Sequence, residues 1–220
     1  MTSNYSNNQI AGFVIAVSSI LSIAIIAHHP TINAREISSQ VTEVVAEMKL
    51  NNMVHGSLIG LLFLNLSAFT IYSTMRGLQN LLVVLALLAY LMSTIMMTGA
   101  ALMNGFIFPT FLQNVAQNHQ HLLELTPLIK IFSWNVNQTL ANTSVIATSC
   151  AIALWSLNLI HSNLVQRVIA LIGLGVGVTI TILMLGGWLA LDLTGMTWVV
   201  VAQSIWNLGI AYLLMSKKIS

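Results

Sequence analysis

The chain has 220 residues, of which 57% are hydrophobic and only 5% charged, and its formal net charge is +2. An ordinary soluble domain gives about a quarter of its residues to charge, so a fold with water as its only solvent is excluded. The small, dispersed net charge leaves no basic stripe for nucleic acid, and the lone cysteine, Cys150, excludes an internal disulfide, a thiolate metal knuckle and CxxCH haem attachment.

Six stretches, about 9–29, 54–75, 80–107, 128–160, 165–190 and 196–216, supply the roughly 20 apolar residues a spanning helix needs, and none carries a charge deep within it. In lipid only helices and closed barrels satisfy their own backbone, and alternating barrel strands are absent. The predicted fold class is all-α: a polytopic membrane bundle of six transmembrane helices forming one integral domain over residues 1–220, with short amphipathic helices capping one face. The lipid bilayer is its first partner.

The leader "MTSNYSNNQ" has no Lys or Arg, and the apolar run behind it is longer than a cleaved signal's. It reads as a retained helix, ending at "HHP" (28–30). In the first loop Ile37, Val41, Val44, Val45 and Met48 recur at helical spacing opposite Glu36, Glu43 and Glu47, with Asn33 and Glu36 as a cap. This predicts an amphipathic helix over about 33–50 lying on the membrane surface. A second, weaker one is predicted over about 111–125, between Pro109 and Pro127. The third and fourth spans are long enough to project beyond the bilayer on the same side.

With six spans, both termini share a side with Arg76, Arg167, Lys217 and Lys218, while Arg35, Lys49 and Lys130 face the other. The positive-inside rule therefore places the termini in the cytoplasm. Trp134, Trp188 and Trp198 fall at the capped interface, and Trp155, Tyr72 and Tyr212 near the opposite one, as aromatic belts.

Five of the six histidines fall on the capped side. Imidazoles gathered at one level suit copper, zinc or iron, or a haem b between facing helices. Adjacent helical residues diverge by about 100°, so only one of His28 and His29 can face inward. His121 and Glu124, at i and i+3, share a face. The predicted metal constellation is His28 or His29, with His55, His121 and Glu124. The alternative for every one of them is an interfacial residue that binds nothing. His161, alone on the other side, is expected to cap the fourth spanning helix.

A second set is buried amide. Asn135, Gln138, Asn142 and Ser149 are expected to form one helical stripe facing protein or water, with Asn65, Thr98, Asn104, Gln203 and Asn207 as partners. Such a core is either interhelical glue or the lining of a ligand pocket. The absence of Asp, Glu, Lys or Arg midway through any span argues against a proton- or ion-coupled transporter. "GLGVG" (173–177) sits inside a span without a preceding strand, so Gly173 and Gly177 are expected to admit a neighbouring helix. The GxSG of rhomboid proteases, GxSxG and HExxH are all missing, and a ceramidase-like zinc site would have only Asp192 to draw on. A hydrolase therefore lacks its nucleophile and base.

The succession "HHP" (28–30), "VHG" (54–56), "NGF" with Pro109 (104–109), "NQ" with "LA" (137–141) and "ALWSL" (153–157) resembles an uncharacterised group of bacterial six-span inner-membrane proteins. The resemblance implies a bacterial inner membrane and marks His28, His29, His55, Asn104 and Gln138 as family-like positions. No activity comes with it. Three readings follow. One is a membrane protein holding a transition metal or haem through its outer histidines. The second is a structural or assembly subunit of a membrane complex with no cofactor, partnered by another membrane protein. The third is a small permease or lipid- or quinone-binding protein using the Asn/Gln stripe.

Overall fold

The computed structural model describes residues 6–29 and 37–216, with the side chains of 37–41, 120 and 123 outside that description. The expected Asn33–Glu36 cap, Pro30, Arg35, Lys217, Lys218 and the side chains of Ile37 and Val41 thus lie outside the described residues. Helices α1 (Asn7–Ala27), α2 (Ile37–Arg76), α3 (Leu81–Leu102), α4 (Phe108–Asn118), α5 (Thr126–Leu159), α6 (Leu164–Leu185) and α7 (Leu193–Met215) make up the fold. A π-helical turn (Met103–Ile107) joins α3 to α4, and a 3-10 turn (Gln120–Leu125) precedes α5. Six helical stretches are long and apolar enough to cross a membrane. Their outward faces carry large apolar side chains, among them Leu81, Ile131, Leu164 and Leu185, as a lipid-facing surface requires.

The first-loop segment is not a separate surface helix. Residues 37–76 form one continuous helix, because neither Gly nor Pro falls between 37 and 55 to break it. At 1.5 Å per residue its 40 residues run about 60 Å, twice the hydrocarbon thickness. Its apolar stripe does not rest on lipid: Val44 is buried against Leu112, with Phe108, Phe111 and Ala116 around them. The two amphipathic segments of the cap cover each other's apolar faces.

The bundle is tightest at the end that holds the termini. Gln9 Nε2 reaches Met215 O, and Gly12 lies directly against the Ala211 carbonyl and the side chains of Leu214 and Met215. Phe69, Trp155 and Trp206 stack nearly parallel, with ring centroids 4.9 Å (Phe69–Trp155), 5.8 Å (Phe69–Trp206) and 6.0 Å (Trp155–Trp206) apart. Tyr90 tilts against this layer, 4.9 Å from Phe69 and 5.5 Å from Trp155. Trp155 and Tyr72 are therefore core residues, each 0% exposed, and not members of an interfacial belt. Their polar ends are reconciled with burial in part, since Trp155 Nε1 donates to Ser73 Oγ at 3.1 Å. Trp134, Trp188, Trp198 and Tyr212 do stand exposed.

The carbonyl end of α5 is held by arginines in place of the expected His161: Arg76 donates through Nε to Asn158 Oδ1 at 2.7 Å and through Nη2 to Asn158 O at 3.2 Å, and Arg167 Nε to Ile160 O at 3.3 Å. A guanidinium carries five donors on a long stem, so it reaches orphan carbonyls that a short imidazole does not. His161 is exposed.

Helix α6 packs as its glycines predict. A methyl group on Gly173 would collide with Ser156 Oγ and the Trp206 indole, and one on Gly177 with the Ser149 carbonyl, whereas Gly175 faces open space. Gly173→Ala is expected to destabilise the bundle by about 1–3 kcal/mol, lowering the thermal midpoint of the detergent-solubilised protein followed by tryptophan emission. Gly175→Ala is expected to leave that midpoint in place. Equal midpoints for the two variants would refute the packing described.

Candidate functional site: a one-sided cavity in the bundle

Helices α1, α2, α3, α5 and α7, with the 191–192 segment leading into α7, surround a cavity of about 290 Å³, the liquid volume of roughly ten waters. Its mouth is on the capped side, at His29, His55, Asn104, Trp134 and Asp192, and its deepest lining includes Tyr90, Thr148 and Asn207. From Asn104 to Tyr90 on α3, and from Trp134 to Thr148 on α5, the lining descends 14 residues (104−90 and 148−134), or about 20 Å of helix. The Phe69–Trp155–Trp206 layer closes the bundle beyond Tyr90. The cavity is thus blind toward the terminus side.

Of the residues singled out from sequence, His29, His55, Asn65, Asn104, Gln138, Gln203 and Asn207 line this cavity. Asn135 and Asn142 do not. The inward stripe of α5 instead runs through Asn137, Gln138, Ala141, Ser144, Val145 and Thr148, about a quarter turn from the expected one. Asn135 is exposed. The physical reason is packing: α3 and α6 press most closely on α5 through its small residues, such as Ser144 against Ser93 and Ser149 and Ala153 against Gly177. Those contacts set the rotation of the helix, overriding the count of amides on one face.

The predicted metal constellation does not assemble. His29 and His55 meet edge to face with ring centroids 5.0 Å apart. His28 instead turns back along α1, its Nδ1 bonded to Ala24 O at 2.7 Å. His121 pairs with His119 at 6.0 Å. Neither His28, His121 nor Glu124 lines the cavity, and all three are exposed. Among the described residues no three His, Cys, Asp or Glu side chains converge as metal ligands. The 3-10 turn carrying His121 and Glu124 packs on α4 and α5, which keeps it away from the histidines of α1 and α2.

The rim at His55 is built by a proline. Phe108 N–H returns to Met103 O in the π turn, and Pro109 has no N–H, so Asn104 O loses both of its helical donors. Asn51 Nδ2, one helix away, supplies the replacement at 2.9 Å and lies 3.3 Å from Gly105 O. Gly105 is needed for this approach, since a methyl group there would overlap the His55 side chain. One turn on, His55 Nδ1 lies 3.0 Å from Asn51 O. A carbonyl only accepts, so Nδ1 carries the proton and the neutral ring leaves Nε2 as an acceptor.

The lining has polar groups but almost no charge. Among the described residues Asp192 is its only ionisable group besides the two histidines and Tyr90, and its carboxylate caps α7 by accepting Gly195 N–H at 2.8 Å. No described Lys or Arg lines it. Gln138 Nε2 donates to Leu191 O at 3.2 Å and Gln203 Nε2 to Ser149 Oγ at 3.3 Å. The carboxamides of Asn104, Asn137 and Asn207 form no hydrogen bond with their side chains among the described residues, although all three line the cavity. Asn51, Ser93, Asn137, Ser144 and Thr148 escaped the sequence reading. Pro109 inside a helical run was the available signal for Asn51, since its freed carbonyl needs a donor.

Comparison with protein-family models, with curated proteins and with solved structures gave no match for this chain. Asn51→Ala is expected to leave Asn104 O without its donor, a cost of about 1–3 kcal/mol, read as faster amide hydrogen exchange across residues 103–112 with α6 unchanged. Unaltered exchange in the π turn would show that Asn51 does not hold the rim.

Proposed function

We propose that this protein is a membrane-embedded binding protein that admits a small, uncharged amphipathic molecule, lipid- or quinone-like in class, from its capped side. One observation carries this reading: a cavity sunk about 20 Å into the span, whose Asn104, Asn137 and Asn207 carboxamides have no side-chain hydrogen bond among the described residues. An amide in a membrane interior is costly unless it is bonded, and each carboxamide offers both a donor and an acceptor. A molecule with a polar head and an apolar body satisfies them while covering Leu58, Leu62, Val145 and Val199. No Lys or Arg stands in the lining among the described residues, and none falls within the deep parts of the spans that form it, which disfavours a carboxylate or phosphate head at depth. The resemblance to bacterial inner-membrane proteins and the excess of Lys and Arg beside the termini support a bacterial inner membrane with cytoplasmic termini, so that the mouth opens outward.

Ala141, 3% exposed and part of the cavity wall, is the place to test this. Native mass spectrometry of the detergent-released wild type is expected to show a bound small molecule at one per chain, identifiable after extraction. Ala141→Phe, filling the cavity, is expected to lose it while keeping its helical circular dichroism. A wild type with nothing bound, or equal loading of the filled variant, would overturn the proposal.

A further inference from the structure

Resting on that reading of the cavity, we infer that its deep end selects a neutral hydroxyl-headed amphiphile, whose O–H donates to Thr148 Oγ1. The argument is proton accounting among three hydroxyls on α3 and α5. Ser144 Oγ lies 3.0 Å from the Ser93 carbonyl, which only accepts, so all three contacts are hydrogen bonds together in one arrangement only, with the Ser144 proton on that carbonyl. Ser93 Oγ lies 2.8 Å from Ser144 Oγ. With the Ser144 proton used, Ser93 must be the donor of that bond. Ser93 Oγ also lies 2.5 Å from Thr148 Oγ1, and with the Ser93 proton used in turn, Thr148 must donate. The chain runs Thr148 to Ser93 to Ser144 to the Ser93 carbonyl. All three protons are consumed inside it.

What this chain leaves for the cavity is acceptor capacity on Thr148, a wall residue, while the Tyr90 O–H and the Asn207 carboxamide N–H groups, also in the deep lining, supply donors. A ligand ending in an ether or carbonyl accepts from those donors but leaves the Thr148 lone pairs unmet. One ending in a hydroxyl completes the chain. An ammonium would also donate, but no carboxylate stands at that depth, since Asp192 belongs to the mouth and is already engaged as a helix cap. An unpaired charge there is costly. A carboxylate ligand lacks both the proton and a cationic partner.

The test uses the full chain in lipid nanodiscs and four probes of similar length: 1-octanol, methyl heptyl ether, octanoate and 1-aminooctane. Competition against the co-purified molecule, or direct saturable binding by native mass spectrometry, is expected to rank 1-octanol at least tenfold above each of the others. Thr148→Val keeps the shape and removes the acceptor, and is expected to bring octanol and ether level. Thr148→Ser is expected to retain the preference. Equal binding of octanol and ether to the wild type would overturn the hydroxyl assignment while leaving the cavity as a binding site. Preference for 1-aminooctane would overturn it in favour of a cation. If none of the four binds and none displaces the resident molecule, the inference and the reading beneath it both fall.

Discussion

In a hydrocarbon solvent a polar group has no water to turn to, and every hydroxyl or amide must find its partner within the protein. The lipid-facing hydroxyls do so locally. Ser67, Thr70, Thr139, Thr143 and Thr197 each donate to the backbone carbonyl four residues earlier, at 2.7 to 2.9 Å. Such bonds require nothing of a neighbouring helix. Some interior hydroxyls also bond across helices, Ser144 with Ser93 and Ser18 with Asn65, while Thr94 stays on the Tyr90 carbonyl of its own helix. Among the described residues the Asn104, Asn137 and Asn207 carboxamides remain over and share one cavity, whereas the unpartnered Tyr72, Thr98 and Ser156 hydroxyls and the Trp206 N–H are packed elsewhere in the bundle.

The bundle is asymmetric along the membrane normal for reasons of side-chain size. At the terminus end glycines let backbones approach, and a stack of three aromatic rings fills the space between α2, α5 and α7. Toward the cap the inward positions become Ala, Ser, Asn and Gln, which hold the helices apart without filling the gap. Helices α5 and α7 scarcely touch directly, and α6 bridges them. One-sidedness of the cavity follows from this gradient.

The six spans were legible because length and apolarity alone decide them, and no tertiary contact is needed to read them off. The rotation of each helix was not. Gln138 reads correctly on either of two stripes of α5, while Asn135 and Asn142 belong to the wrong one, because the small residues that choose the stripe carry no hydropathy signal. The histidines illustrate a different shortfall. Topology brings His28, His29, His55 and His121 to one side, but a shared depth says nothing of lateral distance across a bundle, and only His29 and His55 lie on adjoining helices with rings in contact. Cap boundaries were misread for a third reason: amphipathicity looks the same whether the apolar stripe meets lipid or, as at Val44, another helix.

Helix α2 runs unbroken from Ile37 to Arg76, with His55 close to its middle and Asn51 one turn before it. With no glycine or proline between 37 and 55, the outer arm is a stiff lever whose fulcrum is the π turn gripped by Asn51. Val44 at the cap contact and His55 at the rim therefore belong to one uninterrupted rod, whose length fixes the height of the cap above the cavity.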